Sequence, residues 1–505
     1  MRILIINPPF YRLQEASLVH YPPGCCYVAA VLEEAGFDPI IYNADYDPKK
    51  KTILGNTVHI NVKALTRQHD EYYRRLHNDN DPIWKEIRGY FSRYNPDILI
   101  ISVFNTTLTA GNKIARIAKE LKPGVLTIFE GSTNRGLHCA IDPSINGDFS
   151  VMDFALRREP EFTVVELVKA IAVRSTDFSG IKGLSWRSYD GKIIHNEERP
   201  FIEELDRLPF PARHCLDGYQ DMPAHCFQGI YGSRGCPFDC IFCGCHTSMG
   251  YKPRMRSAKN MVDEIEQVHK KYKTRYFYIC DDIFFLYKER AREFCRLLIK
   301  RKLPVYWSAQ TRAEMVDSEN LALMKKAGGQ HVAVGVEVGN SEVRRMIKKD
   351  NTIEDVRRCA RVIRENGLYM VAFCIVGLPW EGRKEIEDTV NLIKEIQPYI
   401  VYPYMPTPAA GTELAHIMLQ KNSEGLEEFR DRCHIDTSVG LTERMISEER
   451  KEVLEWAFDE FVKINRKKLL GNILKEPQFY WALAHDMAFF KNPHFFFQYV
   501  KEYIE

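Results

Sequence analysis

The sequence predicts an α/β protein: a doubly wound parallel sheet at the N-terminus, a partial (β/α)6 barrel in the middle and a helical domain at the C-terminus. Three observations predict it. Short apolar runs alternate with amphipathic stretches over residues 1–175. Six strand–helix units repeat from residue 228. Residues 416–505 are helical and aromatic-rich. A length of 505 residues suits about three domains. The limits read from the sequence are 1–175, a linker over 176–227, 228–415 and 416–505.

In the first domain Ile3–Ile6 is a short apolar strand. Gly24–Glu34 has helical periodicity, closed by Gly36 at a C-cap position. Pro39–Tyr42 reads as a strand, and residues 63–94 form a polar, mostly helical excursion. Ile98–Val103 is a continuous apolar run, the signature of a central parallel strand. Ala110–Leu121 is helical, Val125–Phe129 a strand and Glu161–Val173 an amphipathic helix. This βαβ alternation predicts a Rossmann-like sheet whose ligands bind at the carboxyl ends of its strands. Those ends hold Asn7-Pro8-Pro9, Ser102–Thr107 and Glu130-Gly131-Ser132-Thr133-Asn134. There is no G-x-G-x-x-G for a dinucleotide and no P-loop. Within the linker, residues 180–199 read as a hairpin turning at Asp190-Gly191.

The second domain predicts strands at Gln228–Ser233, Arg275–Cys280, Val305–Gln310, His331–Glu337, Tyr369–Val376 and Ile400–Tyr404. Helical stretches such as Ala258–Lys271 and Thr352–Asn366 separate them. Repeated βα units close most readily into a full or partial TIM-type barrel, with chemistry at the carboxyl ends of the strands. Successive strand ends supply Asp281-Asp282, Gln310-Thr311-Arg312, Glu337 and Gly377-Leu378-Pro379. Carboxylates, an amide and a guanidinium thus converge on one mouth. Any one of them alone is ordinarily a surface or capping residue.

Directly after the first barrel strand lies Gly235-Cys-Pro-Phe-Asp-Cys-Ile-Phe-Cys-Gly244, a C-x3-C-x2-C run of Cys236, Cys240 and Cys243. Three close thiolates hold three irons of a cubane iron–sulfur cluster, and the fourth iron stays open for a substrate or cofactor. A saturated ferredoxin run has C-x2-C-x2-C and a fourth cysteine. A structural zinc site is the alternative, and its near candidates for a fourth ligand are Cys245 and His246. Of the 14 cysteines, Cys25, Cys26, Cys139, Cys215, Cys226, Cys295, Cys359 and Cys433 read as small buried hydrophobes. Cys280 ends the second barrel strand inside the mouth. It reads either as packing or as a catalytic hydrogen-atom donor or transient ligand.

Composition bounds the class. Hydrophobic residues at 45% and charged residues at 27% describe an ordinary soluble globular protein. A net charge of +2 argues for neither nucleic acid nor an anionic membrane as partner. The apolar run of the N-terminus is too short for a signal peptide, and none spans a bilayer. Many cysteines without a secretory signal predict a reducing cytoplasm.

The cysteine run, with Phe242 before its last cysteine and a partial barrel around it, resembles the radical S-adenosylmethionine (SAM) superfamily over residues 228–415. The resemblance implies that Cys236, Cys240 and Cys243 ligate a 4Fe–4S cluster. Its open iron then holds the amino and carboxylate groups of SAM, and an electron from the cluster yields a 5′-deoxyadenosyl radical. It implies that Phe242 covers the cluster near the adenine. Asp281 and Asp282 stand where the family has Gly-Gly-Glu, and either suits the SAM amino group. Gln310 and Arg312 suit the methionine carboxylate, Glu337 the ribose, and Gly377 and Pro379 the adenine.

The N-terminal domain resembles the cobalamin (B12)-binding domain fused to a subgroup of these enzymes. Asn7-Pro8-Pro9, Tyr21-Pro22-Pro23-Gly24 and the linker run Leu205-Asp206-Arg207-Leu208-Pro209-Phe210-Pro211 carry that likeness. It implies a corrin against Asn7, Pro8, Pro9, Pro23, Gly24, Ser102, Asn105, Thr106, Gly131 and Ser132. Two loops depart from the subgroup. Glu130-Gly131-Ser132-Thr133 replaces Gly-Gly-x-His, and Arg158-Glu159-Pro160-Glu161 replaces Gly-Glu-Gly-Glu. The implied activity is a cobalamin-dependent radical SAM methyltransferase acting on an unactivated carbon of a small-molecule substrate. It draws electrons from an external flavodoxin- or ferredoxin-type donor. The alternatives are a radical cyclase or rearrangement enzyme of the same domain plan, and a non-enzymatic electron carrier. The C-terminal aromatics, Phe479-Tyr480-Trp481, Phe489-Phe490 and Phe495-Phe496-Phe497, read as core, as a cover for the open barrel or as a dimer face.

Overall fold

The structure is a computed structural model that describes residues 1–14, 20–47, 62–131, 150–406, 411–421 and 447–475. Its strands are β1 (Ile3–Asn7), β2 (Pro39–Asn43), β3 (Ile98–Ser102), β4 (Leu126–Glu130), β5 (Phe154–Leu156), β6 (Leu184–Arg187) and β7 (Ile193–His195). They are followed by β8 (Gly229–Ile230), β9 (Ser233–Arg234), β10 (Arg254–Met255), β11 (Tyr276–Ile279), β12 (Tyr306–Thr311), β13 (Gly329–Glu337), β14 (Tyr369–Ile375) and β15 (Ile400–Tyr404).

The first sheet has the order β2-β1-β3-β4-β5-β6-β7, parallel from β2 to β5. Ile3–Ile6 and Ile98–Ile101 are wholly buried, because helices cover both faces of a parallel sheet. The chain turns from β1 to β2 on one side and to β3 on the other. That reversal opens a crevice at the carboxyl ends of β1 and β3, where open sheets of this kind bind ligands. The helix Pro23–Glu34 starts with Pro23 in its first turn, where a missing N–H costs nothing, and ends before Gly36 at φ +87°.

The residue 180–199 hairpin, expected within the linker, extends this sheet instead. Its β6 pairs antiparallel with β5, Phe154 opposite Trp186. The three-residue β5 otherwise presents an unpaired edge, and the hairpin closes it while burying Leu184 and Trp186.

The second sheet has the order β8-β11-β12-β13-β14-β15, all parallel, an open six-stranded barrel. Its helices begin at side-chain caps the sequence announces. Ser257, Asp317 and Thr352 each accept from a backbone N–H three residues on, and Asn340 does so from Glu342 and Val343. The helix Ser447–Lys475 lies against the open edge. Asn465 accepts from the Val401 N–H at 2.8 Å and donates to the Val401 carbonyl at 2.9 Å, so one side-chain amide takes the place of a neighbouring strand. The aromatic runs beyond residue 475 lie outside the described residues.

The linker joins the two sheets. Ala212 N–H donates to the Cys26 carbonyl and Tyr21 N–H to the Cys226 carbonyl, both at 2.9 Å. Tyr21 donates its hydroxyl proton to the Gly229 carbonyl at 2.7 Å. No described helix is long and apolar enough to cross a membrane.

Candidate active site

The cysteine loop is held by its glycines and one apolar pin. Gly235 has φ +88°, and a Cβ there would lie 2.6 Å from the Lys252 carbonyl, so no other residue fits. Cys236 N–H donates to the Gly250 carbonyl at 3.2 Å and Cys243 N–H to the Cys240 carbonyl at 3.0 Å. Ile241 inserts among Val338, Ile347, Leu378 and Leu414. Its N–H reaches the Ile347 carbonyl, and its carbonyl accepts from Leu414 N–H at 3.0 Å. Cys240 is buried; Cys236 and Cys243 are half-buried.

A zinc site sets a tight limit on the spacing of its donors. Four donors on one tetrahedral zinc stand about 3.8 Å apart, given Zn–S near 2.3 Å. Among the described residues, no three such donors that include these cysteines fall within 4.8 Å of one another. Glu33, His214 and Cys215, on the far side of the linker, make the one such group. Neither alternative fourth ligand joins the loop cysteines. His246 stacks on the exposed Tyr251 ring, centroids 4.8 Å apart. The Cys245 thiol donates to Asp282 at 3.0 Å. Hydrogen bonding with Cys245 pulls the Cys236 thiol below its usual pKa and pushes Cys245 up. Cys245 therefore sits between Cys236 and Asp282, with its one thiol hydrogen engaged by the carboxylate.

Of the strand-end residues, Arg312 and Asp282 lie against cysteines of this loop, with one exception to the expected set. Arg312 is 5% exposed, its guanidinium stacked 3.7 Å over the Phe238 ring, and its Nη1 lies 3.7 Å from Cys240 Sγ. It pairs with Glu314, yet Nη2 is buried with no partner. A buried donor of this kind is costly unless a ligand satisfies it, and a carboxylate is its natural complement. Gln310 is oriented by Tyr278, whose hydroxyl donates to its Oε1 at 3.0 Å. Glu337 sits at a bulge in β13 with φ +60°, and its Oε1 accepts from Lys349 Nζ at 2.9 Å. A non-glycine residue in that left-handed conformation stores about 1–3 kcal/mol of strain, which the surroundings must offset. Gly335 makes room, for a Cβ there would lie 2.3 Å from the Glu337 carboxylate.

The exception is Asp281. It is fully buried; Oδ1 accepts from Gly232 N–H at 2.7 Å and Oδ2 from Arg290 at 2.9 Å. With both oxygens engaged inside the barrel wall, it fits a structural role rather than contact with SAM. Asp282 is half-buried beside Cys245 and is the one left facing the loop. Asp281→Asn is expected to lower stability by about 1.5–3 kcal/mol, the value of a hydrogen bond to a charged group. Asp282→Asn is expected to raise the SAM dissociation constant roughly tenfold with stability unchanged. Thermal denaturation and equilibrium dialysis separate the two.

Phe242 packs at the rim of the apolar cluster beside Trp380 and Ile417. Gly377 has φ +92° and packs against Leu454 of the final helix; Pro379 is buried. The Gly377 and Leu378 N–H groups donate to Glu381 at 2.7 and 2.8 Å. Burial pushes the Glu381 carboxyl up to about 7, against an ordinary 4.5. The protonated form is therefore favoured in the fold. Its stabilising contribution is full below pH 4.5 and is lost as pH rises through about 7. The expected loss is roughly 2–3 kcal/mol between those limits. Denaturant titrations of Glu381→Gln are expected to lack this slope; an identical slope in the variant would refute it.

Cys280 lies where the two sheets meet. Its N–H donates to the Ile230 carbonyl at 2.7 Å, and burial pushes its thiol up to about 12. Burial outweighs the opposing hydrogen bond with Tyr231 and keeps it a neutral thiol, which donates to the Tyr278 carbonyl at 3.5 Å. Phe238, Glu314 and Lys349 were not foreseen. Lys349 follows a short helix in a run of charges that reads as solvated, and only the fold turns it back onto Glu337.

At the carboxyl ends of the first sheet, Asn7 donates to Asn43 at 2.9 Å. Pro8, Pro9, Gly24, Ser102 and Gly131 are buried, and Pro23 and Thr106 are half-buried. The Asn105 side chain and Ser132 lie outside the described residues. The second variant loop has a different task from the one expected. Glu159 pairs with Arg234 and Arg254 at 2.9 and 2.7 Å, and Glu161 with Arg234 at 2.5 Å. These carboxylates join the first domain to the β9–β10 ribbon beside the cysteine loop, where the buried Arg254 and the largely buried Arg234 require them.

Residues 230–393 match the radical SAM superfamily. These residues are a radical SAM domain, and the chain is an enzyme. A radical SAM domain uses a 4Fe–4S cluster and SAM. The enzyme is 26% identical over 493 residues to an anaerobic magnesium-protoporphyrin IX monomethyl ester cyclase of Rubrivivax gelatinosus, covering 93% of this chain and 81% of that one. It is 24% identical over 466 residues to a cytidylyl-2-hydroxyethylphosphonate methyltransferase of Streptomyces wedmorensis, covering 85% and 83%. Its fold is similar to that of the radical SAM methyltransferase TsrM of Kitasatospora setae, solved with cobalamin and a [4Fe–4S] cluster. The TM-score is 0.63 at 17% identity, over 84% of this chain and 75% of that one.

Proposed function

We propose that this radical SAM enzyme is a cobalamin-dependent methyltransferase that acts on an unactivated carbon of a small molecule. One observation supports this above the others. Tyr21, from the loop entering the first sheet's crevice, hydrogen-bonds Gly229 of the first barrel strand, and Arg213 donates to both at 2.9 Å. A ligand in the crevice is thereby held in register with the barrel mouth. The residues there fit a corrin amide periphery: small, rigid or neutral, with Asn7 and Ser102 as polar groups. When bound, the cluster and SAM supply the 5′-deoxyadenosyl radical and the cobalamin supplies the methyl group.

The chain's residues do the positioning. Cys236, Cys240 and Cys243 hold the cluster and Phe242 covers it. Asp282 takes the SAM amino group, Arg312 and Gln310 the carboxylate, Glu337 the ribose, and the Gly377–Pro379 backbone approaches the adenine. Lys349 and Phe238 hold Glu337 and Arg312 in place. Electrons come from an external flavodoxin- or ferredoxin-type donor, and the compartment is the reducing cytoplasm.

A second reading, a radical cyclase or rearrangement enzyme, is favoured by Cys280, a neutral thiol at the mouth placed to return a hydrogen atom. The experiment is turnover with SAM labelled in its methyl group, after an absorption spectrum of anaerobically purified protein. Corrinoid bands and labelled product with S-adenosylhomocysteine support methylation. 5′-Deoxyadenosine without S-adenosylhomocysteine supports the second reading. No 5′-deoxyadenosine at all sinks both.

A further inference from the structure

The interior of the barrel has a composition that the SAM site does not use. Side chains alternate across each strand. The outward set, including Phe277, Ile279, Trp307, Ala309, Ala372 and Val401, is at most 1% exposed under the helices. The inward set keeps solvent-accessible surface: Tyr231, Tyr278, Gln310, Val371, Phe373 and Tyr402 are half-buried, and Tyr404 is 43% exposed. A closed barrel of this type fills its interior with packed side chains. Here several of the described inward side chains are not packed shut and keep accessible surface below the rim.

Its lining is aromatic, hydrogen-bonding and neutral. Phe373 on β14 lies 5.7 Å from Tyr402 and 6.0 Å from Tyr404, ring centre to ring centre. Deeper, Tyr276 and Ser308 share a hydrogen bond of 2.6 Å, and Tyr369 packs edge-on to Tyr399 at 5.0 Å. The floor also holds His331 of β13, packed against Tyr369 and Tyr399 and kept neutral by burial; among the described residues, no inward position between this floor and the rim holds an Asp, Glu, Lys, Arg or His. The charged groups, Asp282, Arg312, Glu337 and Lys349, all belong to the rim.

We propose that this chamber is the substrate site and that it selects a neutral, planar ring system. Phenol and phenyl faces give ring stacking, and the Gln310 amide and tyrosine hydroxyls give directed hydrogen bonds. A phosphate, carboxylate or ammonium group would enter without a counter-charge and lose its hydration. The proposal rests on the radical SAM reading, which places the reactive carbon of SAM above the chamber.

The test uses the anaerobic holoenzyme with SAM and two fluorescent probes that differ by one charge, pyrene and pyrene-1-sulfonate. Pyrene is expected to bind saturably at one site and the sulfonate at least tenfold more weakly. Val371→Lys is expected to tighten sulfonate binding at least tenfold; Tyr402→Lys is the second variant, and cluster iron content reports folding. Equal or tighter binding of the sulfonate by the unaltered enzyme, or no saturable pyrene binding, overturns the proposal. Formation of 5′-deoxyadenosine, measured in parallel, tests the radical SAM reading separately.

Discussion

Cys240→Ala is expected to remove the iron–sulfur absorption of the anaerobically reconstituted protein and to reduce 5′-deoxyadenosine formation to background. Cys236→Ala and Cys243→Ala are expected to do the same, because a cubane held by three thiolates has no spare ligand. Cys245→Ala is the informative control. Cys245 hydrogen-bonds Cys236 and Asp282 and does not complete a set of donors within 4.8 Å with the other three. Its loss is expected to leave iron content intact and to slow SAM cleavage by about 10- to 100-fold, the usual effect of removing a group that supports a metal ligand. Iron and sulfide analysis with chromatographic assay of 5′-deoxyadenosine reads both. Iron loss in Cys245→Ala equal to that in Cys240→Ala would reassign it as a ligand.

Glu264→Gln is expected to destabilise the protein by roughly 3–5 kcal/mol, the cost of leaving buried charge uncompensated. Glu264 is 1% exposed and lies between Arg213 at 2.7 Å and Arg256 at 2.5 Å, themselves 2% and 5% exposed. Arg213 also stacks over Tyr21 at 4.4 Å. Burial alone would raise the Glu264 carboxyl, but Arg256 and Arg213 hold it below its usual value. The contribution is therefore present at neutral pH and lost as pH falls through that lowered value. The network joins the linker, the first domain's Tyr21 and the barrel helix Ala258–Tyr272. Its loss is expected to expose residues 205–228 to proteolysis and to uncouple the crevice from the barrel mouth. Urea denaturation with limited proteolysis measures both; a loss under 1 kcal/mol with unchanged proteolysis would show the network to be dispensable.

The cysteine loop and the barrel strand ends were legible from sequence because their information is local. A metal run must keep its spacing, and successive βα units must put their strand ends on one face. β15 matches its expected limits, and β12 and β14 do so within one residue, because apolar runs bounded by turn residues leave little freedom. Arg312, Gln310 and Glu337 stand at successive strand ends for the same reason. The choice between Asp281 and Asp282 was not local. Adjacent residues on a strand end point oppositely, and only the positions of Gly232 and Arg290 reveal which one turns inward.

The residue 180–199 hairpin and the Arg158-Glu159-Pro160-Glu161 loop teach the same lesson at larger scale. The pattern of the hairpin is clear in sequence, but its docking on β5 depends on an edge formed elsewhere. Glu159 and Glu161 read as ligand-loop residues until their partners, Arg234 and Arg254, arrive from 73 to 95 residues away. By itself, then, the sequence determined the metal-ligand spacing, the order of the βα units and the chemistry offered at each strand end, all matters of near neighbours in the chain. Only the tertiary structure decided which aspartate is engaged in the wall, which carboxylates tie the domains together and which neutral side chains line the barrel. Those outcomes depend on contacts and burial between distant segments, which no local pattern encodes.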